Sequence, residues 1–338
     1  MVRHRSIAGA ILLALGSGAA TAADSPPLTQ PEMQQILHTL QTQFTDPDAT
    51  GYAALNRAAI AGLLRDHPQT MQLLTVPDIA PAVPPLLTES LTPRIACLRP
   101  AAFRKEDTAP LRDALTKLAA GETAALILDL RVPAADSDPV TAAELAALFL
   151  PRDTPLFTFQ TPLKSTIDPV WTRELIILAD NDTTNTAEIL ATVLQSRNRA
   201  LMIGSATRGR TAGVADLPLR KVEAGHLVLR YTTRRITFAD RPDPFGTGLT
   251  PDIPAPMEAA AKQAVFALQT KEGLGRGVFH ADRPRTNEAS LLSRTNPELP
   301  ARIARSAGKT TEYDTRLADR PLQLAVDILI ASKALTGP

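Results

Sequence analysis

The sequence has few of the residues on which several functional classes depend. Cys97 is the only cysteine among 338 residues, which excludes an intramolecular disulfide. Aromatic residues make up 4% of the chain, too few to predict an aromatic platform for nucleic-acid bases. The 36 lysines and arginines are balanced by 35 acidic residues, so no basic excess attracts nucleic acid or acidic lipid. These absences predict a chain without disulfides and without a nucleic-acid partner.

Metal and cofactor motifs are missing as well. The five histidines, at positions 4, 38, 67, 226 and 280, form neither an HExxH motif nor a close pair. The glycines of "GLGRG" (273–277) follow a helical pattern, whereas a dinucleotide-binding loop follows a strand. Cys97 lies in the apolar, strand-like segment "RIACLRP", where a buried structural thiol is expected. The sequence therefore predicts no metal, no cofactor and no cysteine nucleophile.

The N-terminus reads as an export signal. Arg3 and Arg5 form a basic start, residues 7–15 a short apolar run, and "ATA" (20–22) a small-residue cleavage site. The apolar run is too short to span a membrane, and no other run in the chain is long and apolar enough. We expect residues 1–23 to be a cleaved signal peptide. The mature protein is expected to be exported, periplasmic or secreted, without stable membrane insertion.

The remaining chain divides into four segments by its hydrophobic patterns. Residues 24–75 carry apolar residues at helical spacing and predict a helical segment without strands. The Pro-rich residues 76–93 predict a linker. Between 94 and 257 strand patterns alternate with amphipathic helices, which predicts an α/β core with a mostly parallel sheet. Inside this core residues 225–240 predict a two-stranded ribbon, and residues 258–338 predict a second helical segment.

Four motifs in this core occur together in a known family, in the same order and at similar separations. They are a strand ending in Asp-Leu-Arg, a polar turn that opens a helix, an Ile-Gly segment that ends in a basic residue, and a Gly-x-Gly segment before Pro-Asp. Here they read "LILDLR" (126–131), "TTNTAEILATVLQ" (183–195), "LMIGSATRGR" (201–210) and "GTGLTPDI" (246–253). The chain thus resembles the C-terminal processing (tail-specific) serine peptidases. The resemblance implies a core related to the crotonase and Clp-protease architecture.

The resemblance also implies a Ser–Lys catalytic dyad, and this sequence departs from it at both positions. The nucleophile position falls on Asn185 and the general-base position on Arg210. An amide nitrogen is not a usable nucleophile, and a guanidinium cannot accept a proton near neutral pH. The family's glycine-rich oxyanion loop reads "VPAAD" (132–136) here, and Pro133 has no N–H. These departures, with no room for a PDZ module, predict a non-catalytic pseudo-peptidase.

The residues around Asn185 also have a structural interpretation. Asparagine is a favoured helix N-cap, and Glu188 follows three residues later, which is the spacing of a capping box. We therefore expect Asn185 to cap a helix and Glu188 to bind back to its start.

A binding role for the same positions follows from charge. A helix N-terminus favours an anion, and an arginine binds a carboxylate through two parallel hydrogen bonds. Asn185, Thr186 and Arg210 are therefore the predicted binding residues for a peptide or protein ligand. One alternative is an active serine-type or threonine-type endopeptidase that uses Thr184, Thr186 or Ser205; another is a structural partner of an active paralogue. The sequence leaves the oligomeric state open.

Overall fold

The structure is a computed structural model that describes part of the chain. The described residues are 29–43, 51–78, 86–100, 102–133, 138–278 and 317–336, with a few positions between 292 and 307. The predicted signal peptide, residues 1–23, lies outside them, so export stays a prediction. Within the described parts of the chain no helix is long and apolar enough to cross a membrane.

The chain separates into two units, and the first, Met1–Asp66, contains two described helices. These are α1 (Gln30–Gln43) and α2 (Tyr52–Asp66), both within the segment predicted to be helical. The backbone N–H and the hydroxyl of Thr29 both donate to the Glu32 carboxylate, each at 2.7 Å. This pairing satisfies a donor at the start of α1 and fixes where the helix begins.

The second unit, His67–Pro338, is built on a six-stranded sheet. The sheet runs in the order β11-β8-β7-β4-β3-β2, and all neighbours are parallel except β2 and β3. Its strands are β2 (Leu87–Thr92), β3 (Ile95–Arg99), β4 (Ala125–Asp129), β7 (Glu174–Ala179), β8 (Leu201–Gly204) and β11 (Ile253–Pro254). The predicted α/β core with a mostly parallel sheet is confirmed.

The central strands are buried on both faces, as continuous apolar runs require in a parallel sheet. On one face Ala96 and Leu98 of β3 belong to a core that includes residues of three helices. On the other face Ile95 and Cys97 pack with residues of the last helix. Cys97 is fully buried, and this burial raises the pKa of its thiol, so the expected structural thiol is confirmed. The helices of this unit are α3 (Thr108–Ala120), α4 (Pro139–Ala147), α5 (Asn185–Ser196), α6 (Ala259–Glu272) and α7 (Arg320–Thr336).

A second, antiparallel sheet of three strands has the order β1-β10-β9. It consists of β1 (Met71–Val76), β9 (Ala212–Val222) and β10 (Gly225–Arg235). A further hairpin, β5 (Pro155–Phe159) with β6 (Thr161–Lys164), lies outside both sheets.

Three details of the sequence interpretation are wrong, one in the six-stranded sheet and two in the three-stranded sheet. Residues 71–76, predicted to be helical, form β1, because their backbone pairs with β10 far along the chain. Residues 87–92, predicted to be linker, form β2 through pairing with β3. Residues 225–240 supply one strand of the ribbon, and the other strand is the preceding β9. For β1 a long-range pairing overrides the local pattern, whereas β2 and β9 each pair with the strand that follows next in the chain.

Candidate functional site

Asn185 and Arg210 lie beyond the carboxyl ends of two neighbouring parallel strands. Strand β7 leads to the turn that carries Asn185, and β8 leads to the segment that carries Arg210. Because parallel strands end at the same edge of a sheet, these two segments are brought together there. Both side chains line one pocket with a volume of about 40 Å³. The structure thus brings together the two residues that the resemblance assigns to the dyad positions.

The helix that begins at Asn185 is not capped in the way the sequence predicts. Thr184 occupies the N-cap position in an extended conformation and makes no side-chain capping bond. Asn185 itself has a φ of 52°, in the left-handed region. Asparagine tolerates this region better than most residues, because its short polar side chain interacts with the local backbone. The predicted capping box is therefore wrong, and the backbone conformation explains the asparagine instead.

This explanation predicts how variants of Asn185 behave. We expect Asn185→Ser to lower the free energy of unfolding by about 1 kcal/mol, because serine tolerates a positive φ less well. Asn185→Gly should leave stability unchanged or slightly raised, since glycine has no Cβ to strain. Urea unfolding of both variants measures the difference. A neutral serine variant together with a destabilised glycine variant would restore the capping interpretation.

Glu188 binds the segment that carries Arg210 rather than the start of its own helix. Its buried carboxylate accepts hydrogen bonds from the hydroxyl of Thr207 and from the backbone N–H groups of Gly209 and Arg210, the latter two at 2.7 Å each. Burial raises the pKa of Glu188, while these donors favour its ionised form. Glu188 thereby fixes the backbone of Arg210 against α5.

A second backbone contact holds the same segment from the other side. The N–H of Thr207 donates to the carbonyl of Leu249 at 3.1 Å, and the N–H of Leu249 donates to the Thr207 hydroxyl at 2.7 Å. The N–H of Gly246 donates to the carbonyl of Gly209 at 2.8 Å. Hydrogen bonds therefore join the two sequence motifs at 201–210 and 246–253.

The Arg210 guanidinium is half-buried and lies in a positive environment. Burial lowers its pKa from the ordinary value; the charge of Arg208 lowers it further, Glu188 opposes both, and Arg230 adds to the lowering. An arginine remains protonated at neutral pH despite such shifts. Among the residues that the structure describes, none forms an ion pair with Arg210. This cation is available to a ligand.

The other walls of the pocket come from the antiparallel sheet. They include Gln69, which precedes β1, Gln72 of β1, and Arg230 and Tyr231 of β10. Arg230 is paired with the carboxylate of Asp216 through two bonds of 2.7 Å. The described lining contains two arginines and no carboxylate. Sequence analysis missed these wall residues, because only the pairing of β1 with β10 brings them to Arg210.

The remaining candidate nucleophiles do not line the pocket. Thr186 is fully buried, and its hydroxyl accepts a hydrogen bond from the N–H of Asp138 at 3.0 Å. Thr184 and Ser205 are half-buried and lie outside the lining. Of the three predicted binding residues, Asn185 and Arg210 are brought together and Thr186 is not. In the altered oxyanion loop, Pro133 is exposed, and residues 134–137 lie outside the described parts.

A buried lysine lies beneath the turn that leads to Asn185. Lys262 of α6 is 8% exposed and pairs with Asp180 at 2.6 Å and with Asp182 at 2.7 Å. Burial raises the pKa of Asp180, and the charge of Lys262 opposes that shift. The lysine is engaged by two carboxylates of the turn, so its position indicates a role in holding the turn rather than in proton transfer.

The Asp-Leu-Arg end of β4 contributes to a buried charge cluster. Arg131 donates to Asp129 and also to Asp319, which precedes α7, with all four bonds between 2.8 and 2.9 Å. Arg99 adds a further bond to Asp129 at 2.9 Å. These four charged side chains are almost completely buried. Asp129 and Arg131 are therefore structural, joining α7 to the central sheet.

Fold and pocket together define an α/β domain whose candidate site lies at the carboxyl ends of its parallel strands. Residues 94–255 match the family model of peptidase family S41. This match is to residues 94–255, and it confirms the resemblance of that domain to the S41 peptidases. A comparison with curated protein sequences finds no significant match.

Several solved structures are similar to parts of the chain. The photosystem II D1 C-terminal processing protease is 21% identical over 55% of this chain and 48% of its own, with a TM-score of 0.40. Mature CPAF is 13% identical over 47% of this chain and 46% of its own, with a TM-score of 0.40. A Bacteroides fragilis protein described as an S41 protease is 16% identical over 58% and 56%, with a TM-score of 0.42. The chain thus spans about half the length of these proteins.

Proposed function

We propose that this protein is a non-catalytic member of the S41 family that binds a peptide or protein through a carboxylate. The observation that carries the proposal is the pocket in which Asn185 and Arg210 stand at the positions of the family's serine and lysine. The predicted signal peptide extends the proposal to an exported, periplasmic setting.

The chemistry of these two side chains supports a non-catalytic role. Acyl transfer needs a nucleophile and a base that removes its proton. The amide of Asn185 provides no nucleophile, and the guanidinium of Arg210 provides no base. Lys262, a buried lysine that contacts this turn, is paired with two aspartates. The hydroxyl of Thr186 is engaged with the backbone of Asp138.

The charges around the pocket support an anionic ligand. Arg210 has no carboxylate partner in the described parts of the protein, and Arg208 and Arg230 both contribute positive potential at its position. A guanidinium binds a carboxylate through two parallel hydrogen bonds, which a lysine cannot do. The lining is otherwise polar and uncharged around Asn185 and Gln72, with an apolar wall at Phe245.

Arg210→Ala is the variant that tests the binding proposal. We expect it to weaken the binding of carboxylate-bearing peptides by at least about tenfold, because a desolvated charge pair is lost. Peptides selected from a library by the parent protein are measured by calorimetry against the parent and the variant. Arg208→Ala is the matched control: it removes a neighbouring charge that does not line the pocket, and it should weaken binding by less than about threefold at physiological salt.

Two results would contradict the proposal. Selected peptides that bind the parent and Arg210→Ala equally would remove the pocket from the binding site. Labelling of the parent by a serine-reactive fluorophosphonate, together with cleavage of a bound peptide that persists in Asn185→Ala, would favour a peptidase with displaced residues. We expect neither labelling nor cleavage.

A further inference from the structure

Both carboxylate oxygens of Glu188 bind the segment that carries Arg210. Oε1 accepts hydrogen bonds from the hydroxyl of Thr207 and the backbone N–H of Gly209, and Oε2 accepts one from the backbone N–H of Arg210. The Glu188 side chain is fully buried, so bulk water does not replace a lost bond. Each oxygen faces an N–H group that can only donate. A proton added to either oxygen therefore meets a donor and weakens at least one of these bonds.

The loss of these bonds has its largest effect at Arg210. Thr207 and Gly209 are also hydrogen-bonded to residues 246–249 through their backbones. Within the described parts of the protein, the N–H of Arg210 has only the Glu188 carboxylate as an acceptor. The Arg210 side chain lines the pocket. Glu188 therefore fixes the backbone of the residue that is proposed to bind the ligand.

The charge of Glu188 is poorly compensated by its surroundings. Burial raises the pKa of Glu188, and the three donors and the charge of Arg210 oppose this shift without cancelling it. The neighbouring helix α4 contributes Asp138, which is hydrogen-bonded to the start of that helix, and the exposed Glu144. The other charged side chains on adjoining segments are paired with one another: Asp180 with Lys262, Asp182 with Arg208, and Asp243 with Arg235.

Resting on the proposed function, we propose that Glu188 is a positioning residue that holds Arg210 for carboxylate binding only while Glu188 is ionised, so that mild acid releases the ligand. Glu188 does not contact the ligand; it acts through the backbone of Arg210.

The direction of the pH effect on stability makes this release a local event. Burial raises the pKa of Glu188 in the folded protein above its value in the unfolded chain. The folded state therefore binds the proton more strongly, and the contribution of this group to stability rises as the pH falls. Protonation of Glu188 thus loosens the 207–210 segment in a protein that remains folded.

Binding of trifluoroacetate to the full chain tests the coupling, because this carboxylate stays ionised throughout the pH range used. Its affinity is measured by fluorine NMR between about pH 5 and about pH 8, with Arg210→Ala measured in parallel to identify the Arg210-dependent part. In the parent this part should be constant near neutral pH and should fall by up to about tenfold per pH unit as Glu188 becomes protonated. Histidines titrate in the same range, so a variant must identify the group responsible.

Glu188→Gln is the variant that identifies it. Glutamine keeps the shape of the side chain, has one acceptor oxygen and does not titrate. We expect it to bind trifluoroacetate about tenfold more weakly than the parent at neutral pH, with less than about twofold change across the pH range. Asp180→Asn is the matched control, since burial also raises the pKa of Asp180, and it should keep the pH dependence of the parent. A flat profile in Asp180→Asn with a parental profile in Glu188→Gln would overturn the inference.

The ligand-free protein provides a second measurement. The amide resonances of Gly209 and Arg210 should titrate with the same midpoint as the carboxyl carbon of Glu188, and trifluoroacetate affinity should fall at that midpoint. Amide resonances that do not follow the Glu188 carboxyl would overturn the inference. If Glu188→Gln does not fold, this comparison on the parent protein decides the matter.

Failure of this inference is distinguishable from failure of the proposed function. If trifluoroacetate binding depends on Arg210 and is equally strong at every pH, Glu188 is no switch and the carboxylate proposal stands. If no binding depends on Arg210 at any pH, both proposals are overturned.

Discussion

Asp319→Ala is expected to lower the free energy of unfolding by about 3–5 kcal/mol, because it leaves an excess buried positive charge. Asp319 receives two bonds of 2.9 Å from Arg131 and a third, of 3.1 Å, from Gln269. Two arginines and two aspartates make the cluster neutral, and removal of one carboxylate leaves it with a net positive charge. Burial alone raises the pKa of Asp129, yet the guanidinium groups of Arg131 and Arg99 hold that pKa well below its usual range.

Urea unfolding of the parent and of the variant measures this loss. Asp168→Ala is the matched control, because Asp168 forms an ion pair with Arg152 at 3.3 Å while its side chain is 78% exposed. A surface pair of this kind contributes at most about 1 kcal/mol. The cluster joins the start of α7 to the end of β4, so its loss should also expose α7 to proteolysis. Equal losses of unfolding free energy in the two variants would mean that the buried cluster contributes no more to stability than a surface ion pair.

The central sheet could be predicted from the sequence because each of its central strands has a recognisable local pattern. Segments such as "AALILDLR" and "RELIILAD" are short apolar runs between polar turns, and their length is typical of strands that are buried on both faces. In the structure Asn185 and Arg210 come close to each other because both follow strands that lie side by side. Site residues that follow neighbouring parallel strands are therefore the ones that a sequence can predict.

The walls of the pocket could not be predicted, because they depend on contacts between distant segments. Gln69 precedes a strand whose partner lies about 160 residues later, and its own sequence pattern indicated a helix. Hydrophobic patterns report which face of an element is buried, and they contain no information about which strand it joins. Gln69 and Arg230 thus had no signal at the level of sequence.

The positions of Asn185 and Glu188 show a different limit. Their spacing of three residues is that of a capping box, and both residue types suit that motif. In the structure Asn185 adopts a positive φ, and Glu188 receives three hydrogen bonds from residues 207–210. A carboxylate satisfied by a distant backbone is unavailable to its own helix. A local motif therefore fails where a long-range contact offers the same side chain more donors.

The segment that Glu188 binds, residues 207–210, also packs against Gly248, which is one of the positions most sensitive to substitution. Gly248 has a φ of 77°, and a Cβ added there would lie 2.2 Å from the carbonyl oxygen of Thr207. No rearrangement of a side chain relieves a clash with the backbone. Thr207 is hydrogen-bonded to Glu188 and to Leu249, so displacing it disturbs the segment that carries Arg210.

Gly248→Ala is therefore expected to destabilise the protein by about 3 kcal/mol, from the cost of a left-handed alanine together with the clash. Gly246→Ala is the matched control, because Gly246 has a φ of 83° and no atom within 4 Å of an added Cβ. It should cost about 1 kcal/mol, the conformational part alone. Both variants are compared by urea unfolding, and the surviving folded protein is tested for Arg210-dependent peptide binding. We expect Gly248→Ala to weaken that binding and Gly246→Ala to retain it. Equal stabilities and equal affinities of the two variants would mean that the 207–210 segment does not depend on close packing against residues 246–249.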